Sequence, residues 1–110
     1  GDVYEGHFEQ DRRHGFGKLQ TALGVTYEGD WKLGIKHGYG KLSDSRTGAC
    51  YDGEWLNGRR HGTGKEIDAN GITEYVGEYK NDERVGNSHM ILKTQGNKKK
   101  GRLRLRVLGF

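Results

Sequence analysis

Residues 51–64 read Tyr51-Asp52-Gly53-Glu54-Trp55-Leu56-Asn57-Gly58-Arg59-Arg60-His61-Gly62-Thr63-Gly64, and this phrase decides the fold. Its frame is a Tyr, a Gly two positions on, an aromatic two further, and a His-Gly pair six beyond the aromatic. The frame recurs at Tyr27-Gly29-Trp31 with His37-Gly38, and at Tyr4-Gly6-Phe8 with His14-Gly15. A worn copy stands at Tyr75-Gly77-Tyr79 with Val85-Gly86, and the step between copies is about 24 residues. A fixed period of this length marks a repeat array, in which each unit buries its apolar side only against a neighbour. Arrays present long surfaces, so the first functional expectation is binding.

Within a copy, positions i, i+2 and i+4 share one face of a strand. A helix would also align i with i+4, but the density of Gly opposes one. Four turn-forming positions follow each aromatic: Glu9 to Arg12, Lys32 to Ile35, Leu56 to Arg59 and Lys80 to Glu83. The third of each is Asp11, Gly34, Gly58 or Asp82, types that tolerate a left-handed backbone. A second strand then carries His, Gly, any residue and Gly. Each copy is therefore predicted to be a β-hairpin with a four-residue turn.

Setting Phe8 opposite Arg13 places Gly6 across from Gly15 and Tyr4 across from Gly17. Aromatic rings would then rest on glycine, because any Cβ beneath would lift them. Gly6, Gly15, Gly17, Gly29, Gly38, Gly40, Gly53, Gly62, Gly64 and Gly77 are accordingly read as structural, as are His14, His37 and His61. The opposite face is expected to pair Asp30 with His37 and Glu54 with His61. Gly24, Gly48 and Gly71 mark turns between hairpins, and Gly96 closes the fourth.

The chain has 110 residues, enough for one domain, and only 31% of them are hydrophobic. Gly accounts for 20 positions, well above the roughly 7% of ordinary proteins. The regularly placed aromatics argue for order nonetheless, since disordered segments lack them. The lone Cys50 can form no internal disulfide, and no signal peptide or apolar span is visible, which points to a cytoplasmic setting. Cys50 reads as a small strand residue. The chain begins at Gly1, three positions before its first motif, as a piece of a longer protein would.

The formal charge of +4 hides an asymmetry. Residues 1–97 hold all 15 acids against 13 Lys and Arg, a net of −2. Lys98, Lys99, Lys100, Arg102, Arg104 and Arg106 then follow with no acid. Stepping on by one period puts Gly101 in the place of Gly77 and Leu103 in that of Tyr79. Residues 98–110 thus read as a basic terminal strand, a degenerate fifth repeat or cap, after four repeats at about 4–26, 27–50, 51–74 and 75–97.

The stretches from Tyr27 to Gly40 and from Tyr51 to Gly64 resemble MORN repeats. The first copy departs at Phe8 and Asp11. The fourth departs at Tyr79, Asp82, Val85 and Ser88. The resemblance implies an all-β, elongated, single-layer antiparallel sheet of stacked hairpins, twisted and grooved. It further implies a scaffold or accessory module at the cytoskeleton, cilium or membrane face, acting through protein–protein contact, dimerisation or phospholipid binding.

Catalysis finds no support in the residues. His14, His37 and His61 belong to successive hairpins, roughly 10 Å apart at about 4.8 Å per strand, too far to share a metal ion. The acid–histidine pairs have no recurring nucleophile beside them. The Gly-x-Gly pairs lie within strands and precede no helix, so they cradle no phosphate. No cofactor, metal or catalytic residue is expected. For binding, the stripe of Tyr4, Phe8, Tyr27, Trp31, Tyr51, Trp55, Tyr75 and Tyr79 is the only core a single layer can have. Its ring edges also line a groove suited to an extended or helical peptide of a protein partner. Nucleic acid is excluded by the net acidity of the array. Two basic ladders, Arg13, Lys36, Arg60, Arg84 and Lys18, Lys41, Lys65, are expected to be solvated and balanced by Glu5, Glu28, Asp30, Asp52, Glu54 and Glu78. The tail cations from Lys98 to Arg106 are candidate contacts for acidic phospholipid. The leading expectation is a non-catalytic interaction module. Its rivals are a peripheral membrane module and a targeting domain of a larger enzyme.

Overall fold

The computed structural model describes residues 1–69, 71, 73–86, 89–92 and 106–109. Among the described residues ten strands lie in one antiparallel sheet and, one short strand aside, neighbour one another in chain order. They are β1 Val3–Glu9, β2 Arg12–Gln20, β3 Val25–Lys32, β4 Ile35–Asp44, β5 Cys50–Leu56, β6 Arg59–Ile67, β7 Thr73–Lys80, β8 Glu83–Arg84, β9 His89–Leu92 and β10 Arg106–Gly109. The short β8 pairs with one end of β7, and β9 takes over along the other end. The result is an open sheet of consecutive hairpins, extended over 50 × 30 × 20 Å.

The hairpin turns are tighter than the four residues expected. Glu9 pairs with Arg12, Lys32 with Ile35, Leu56 with Arg59 and Lys80 with Glu83, leaving two-residue loops. Both loop residues take positive φ: 52° and 60° at Gln10 and Asp11, 47° and 88° at Leu33 and Gly34, 52° and 82° at Asn57 and Gly58, 51° and 72° at Asn81 and Asp82. That is the type I′ turn, whose twist matches a right-twisted strand pair. The second, third and fourth loops also reach the preceding hairpin. The amides of Gly34, Gly58 and Asp82 donate to the carbonyls of Arg13, Lys36 and Arg60 at 2.7, 3.0 and 3.0 Å. Neighbouring repeats are thereby stapled at their tips.

The register within a hairpin also differs from the expected one. Phe8 does face Arg13, but Gly6 faces Gly17 and Tyr4 faces Leu19. Between these pairs, His14, Gly15 and Phe16 stand opposite the single residue His7. The same bulge sets His37, Gly38 and Tyr39 against Asp30, and His61, Gly62 and Thr63 against Glu54. A left-handed Gly makes it in each case, with φ of 77°, 71° and 67° at Gly15, Gly38 and Gly62. The carboxylates therefore do not pair with the histidines. The amide of Tyr39 donates to Asp30 Oδ2 at 3.1 Å, and that of Thr63 to Glu54 Oε2 at 2.8 Å. The bulge frees main-chain donors, and a carboxylate at its centre satisfies one of them. His14 takes a different role: its Nδ1 accepts from the Leu33 amide at 3.1 Å, and its Nε2 lies 3.2 Å from Glu9.

Beyond the fourth hairpin, β10 lies beside β9 with Ile91 facing Val107. Since Ile67 faces Glu74 one repeat earlier, the 24-residue step would have set Lys98 there. The strand that pairs with β9 therefore sits nine positions further along the chain. The stretch from Lys99 to Leu103, expected in that slot, lies outside the described residues, as do Ser88, Gly96, Lys98 and Arg104.

Candidate interaction surface

One face of the sheet carries the core. Tyr27, Trp31, Tyr51, Trp55 and Tyr79 are 1–5% exposed, with Tyr4, Leu19 and Leu42 packed against them. Their rings alternate edge to face in one line. The centroid spacings are 5.0 Å for Phe8–Tyr4, 5.7 Å for Tyr4–Trp31 and 4.9 Å for Trp31–Tyr27. They continue at 5.4 Å for Tyr27–Trp55, 5.2 Å for Trp55–Tyr51 and 5.0 Å for Tyr51–Tyr79. Edge-to-face pairs of this spacing stabilise by about 0.5–1.5 kcal/mol each beyond the area they bury.

The polar atoms of the Tyr27, Trp31, Tyr51 and Trp55 rings are satisfied by the main chain. The Tyr27 and Tyr51 hydroxyls donate to the carbonyls of Asp30 and Glu54 at 2.8 and 3.0 Å. The Trp31 and Trp55 indoles donate to the carbonyls of Gly17 and Gly40 at 3.1 and 3.0 Å. Burial pushes the Tyr27 and Tyr51 phenols well above their ordinary range. A Cβ on Gly40 would overlap the Tyr27 ring, which is the physical content of the recurring Gly.

Over the rings runs the first basic ladder. Arg13 sits 4.7 Å from the Trp31 centroid and 5.7 Å from Tyr4. Lys36 Nζ is 5.5 Å from Trp55 and 5.6 Å from Tyr27. Arg60 lies 5.4 Å from Tyr79 and 5.7 Å from Tyr51, and Arg84 lies over Tyr75 at 3.2 Å. Arg13, Lys36 and Arg60 cap the core by cation–π contact, where a solvated ladder was expected, and the exposed Arg84 covers the half-buried Tyr75. The second ladder behaves as expected: on the opposite face Lys18, Lys41 and Lys65 alternate across strands with Glu5, Glu28 and Asp52.

The junction of the third and fourth repeats is built differently. Glu66 stands where the earlier copies have Leu19 and Leu42, and Tyr79 stands where the second and third copies have Trp. The two changes answer each other, since the Tyr79 hydroxyl donates to Glu66 Oε1 at 2.9 Å. Burial, opposed by Arg84 and reinforced by Glu66, leaves the Tyr79 phenol pushed up to about 12. Arg60 and Arg84 reach the same Glu66 oxygen at 3.3 and 3.0 Å. Arg60 also pairs with Asp82 at 3.4 Å, and Arg84 with Asp68 at 3.5 Å.

Between the ladder and the turn following β4 lies a groove of about 520 Å³. Leu42, Tyr51 and Trp55 line its apolar part, Lys36 and Arg60 its basic part, and Asp44, Glu66 and Asp82 its acidic part. Of the expected groove residues, it thus brings together Tyr51 and Trp55. The rings of Tyr27, Trp31 and Tyr79 are closed in by their neighbours, as Tyr51 and Trp55 are save for the edges they show to the groove; Tyr4 and Tyr75 are half-buried, and Phe8 is 62% exposed at the edge strand. The groove's charged members were not singled out from the sequence as groove residues. For Lys36 and Arg60 the signal was the basic position that recurs just before the His of each His-Gly pair and faces the aromatic across the turn. His37 and His61 line a second hollow, of about 500 Å³, on the other side with Asp30 and Glu54. Among the described residues, no cluster of His, Cys, Asp or Glu is arranged to hold a metal ion. Of the tail cations, Arg106 opens β10, and the rest fall outside the described residues.

Comparison with known proteins agrees with this construction. The sequence profile described as the MORN repeat matches residues 4–22, 27–45, 51–73 and 75–87. No curated protein matches the chain.

Proposed function

The chain belongs to the MORN-repeat family, a non-enzymatic repeat module, and on that premise we propose that it docks a protein partner along the groove of its aromatic face. The observation that carries this reading is the groove itself. It combines apolar floor residues Leu42, Tyr51 and Trp55 with charges of both signs at its margins. That is the composition by which a surface anchors a side chain and fixes its orientation. On the opposite face Lys and acid side chains alternate and neutralise one another, leaving the exposed rings of Phe16 and Tyr39 without a charged margin of one sign. In this reading the module does no chemistry of its own.

Photo-crosslinking tests the surface directly. Benzoylphenylalanine is placed at Val25, on the groove, or at Tyr39, 58% exposed on the other face. Adducts with one defined protein from the Val25 position are expected in cell extract. Adducts arising only from Tyr39 would move the docking surface to the other face.

A further inference from the structure

The four cations over the aromatic ladder are not equivalent. Arg60 and Arg84 are neutralised by Glu66, Asp82 and Asp68. Arg13 and Lys36 rest on ring faces, and among the described residues no carboxylate forms an ion pair with either. They are successive members of the ladder, and they repel each other. Lys36 is held below the usual lysine range by burial first and by Arg13 second, with Asp82 pulling the other way. The acids of the groove, by contrast, are already engaged: Asp44 by Arg46 at 3.0 Å, Glu66 by both arginines, Asp82 by Arg60. The charge left unanswered in the groove is positive, and it sits at the Lys36 end.

Resting on the docking function above, we propose that the groove takes an extended peptide segment of the partner in which a carboxylate meets Lys36, with Arg13 behind it, and the adjoining apolar side chain lies against Leu42 and Tyr51. The half-buried Lys36 gains a charge-assisted bond there that its rings cannot supply. The spacing suits an extended ligand, since Lys36 Nζ lies 5.5 Å from the Trp55 ring, whose centroid is 5.2 Å from that of Tyr51. A basic peptide would find every groove carboxylate occupied. A bilayer surface is flat and cannot follow Lys36 down to the rings.

The test is selection of a random heptapeptide library on the purified chain and on two variants, Lys36→Met and Lys36→Glu. Near-ultraviolet circular dichroism from Trp31 and Trp55 verifies that each variant is folded. Lys36→Met keeps the apolar stem over Tyr27 and removes only the charge. Wild type is expected to enrich Asp or Glu beside an apolar residue, with crosslinks from Val25. The best such peptide should bind Lys36→Met about tenfold more weakly by fluorescence anisotropy. Lys36→Glu should turn the selection toward Lys and Arg. Enriched peptides that crosslink at Val25 but carry no acid would overturn the carboxylate inference and leave the groove standing. Peptides that crosslink only from Tyr39 would overturn both. Failure to enrich any peptide, with binding to phosphatidylserine vesicles lost in Lys36→Met, would make a membrane the occupant and also overturn the proposal.

Discussion

Gly40 shows how much a single absent side chain decides. Tyr27 lies across it with its hydroxyl on the Asp30 carbonyl, and a methyl group in that place would overlap the ring. Gly40→Ala should therefore cost about 1–3 kcal/mol through overpacking, read as a lowered urea midpoint at unchanged slope. The buried phenols make a second prediction at this scale. Tyr79 titrates from an ordinary value of 10.0 but is pushed up to about 12 in the fold. The folded chain then holds a proton that the unfolded chain releases. The stabilisation is complete below pH 10 and drains away as pH rises toward 12. Urea midpoints should be level up to about pH 9 and fall steadily above pH 10, with a shallower fall in Tyr79→Phe. A flat profile through pH 11 would contradict the enclosure of these rings. Residues of this kind were legible in advance: a Gly two positions from each aromatic admits few explanations other than a ring against the backbone.

At the scale of the hairpin, the turn and the bulge do separate work. The turn closes in two residues, both left-handed, and its amide reaches back to the previous hairpin. Gly58 has φ of 82° and no close neighbour beyond Ile35, so its role is conformational. Gly58→Val should cost about 1–2 kcal/mol from left-handed strain alone, measurable by chemical denaturation. Gly38 adds a steric demand, because a Cβ there would press on the Asp30 side chain, at 2.8 Å from Oδ2 and 3.1 Å from Cβ. Gly38→Val is expected to cost more than Gly58→Val. The hairpins themselves could be read from the period-two pattern, but the bulge could not. Counting residues across a turn assumes one partner per residue, and three-against-one pairing breaks the count with no change of composition. The expected Asp30–His37 and Glu54–His61 pairs failed for that reason, and the carboxylates bond the main chain instead.

The whole molecule is a ladder of rings with unequal ends. Trp55 touches rings of two successive repeats and is 5% exposed, whereas Phe8 ends the line and is 62% exposed. Trp55→Ala should cost about 3–5 kcal/mol, as large-to-small core changes do. Phe8→Ala should cost well under half of that. Equal losses at both sites in denaturation experiments would argue against a core shared from repeat to repeat. The ladder also explains the placement of charge, since a single layer must shield its apolar face with something, and Arg13, Lys36, Arg60 and Arg84 supply long side chains for the purpose.

The recurring Tyr, Gly, aromatic and His-Gly positions determined the all-β class, the hairpin unit, the number of clear copies and the family, because local backbone demands repeat wherever the phrase repeats. Tertiary structure alone decided the rest. Which basic residues cap rings and which face acids depends on the bulge, whose three-against-one pairing changes which residues meet across the strands. Which cations remain unpaired depends on Glu66, Asp68 and Asp82, which meet Arg60 and Arg84 across the junction of the third and fourth hairpins. A groove is a relation between neighbouring repeats, and no single copy of the phrase contains it.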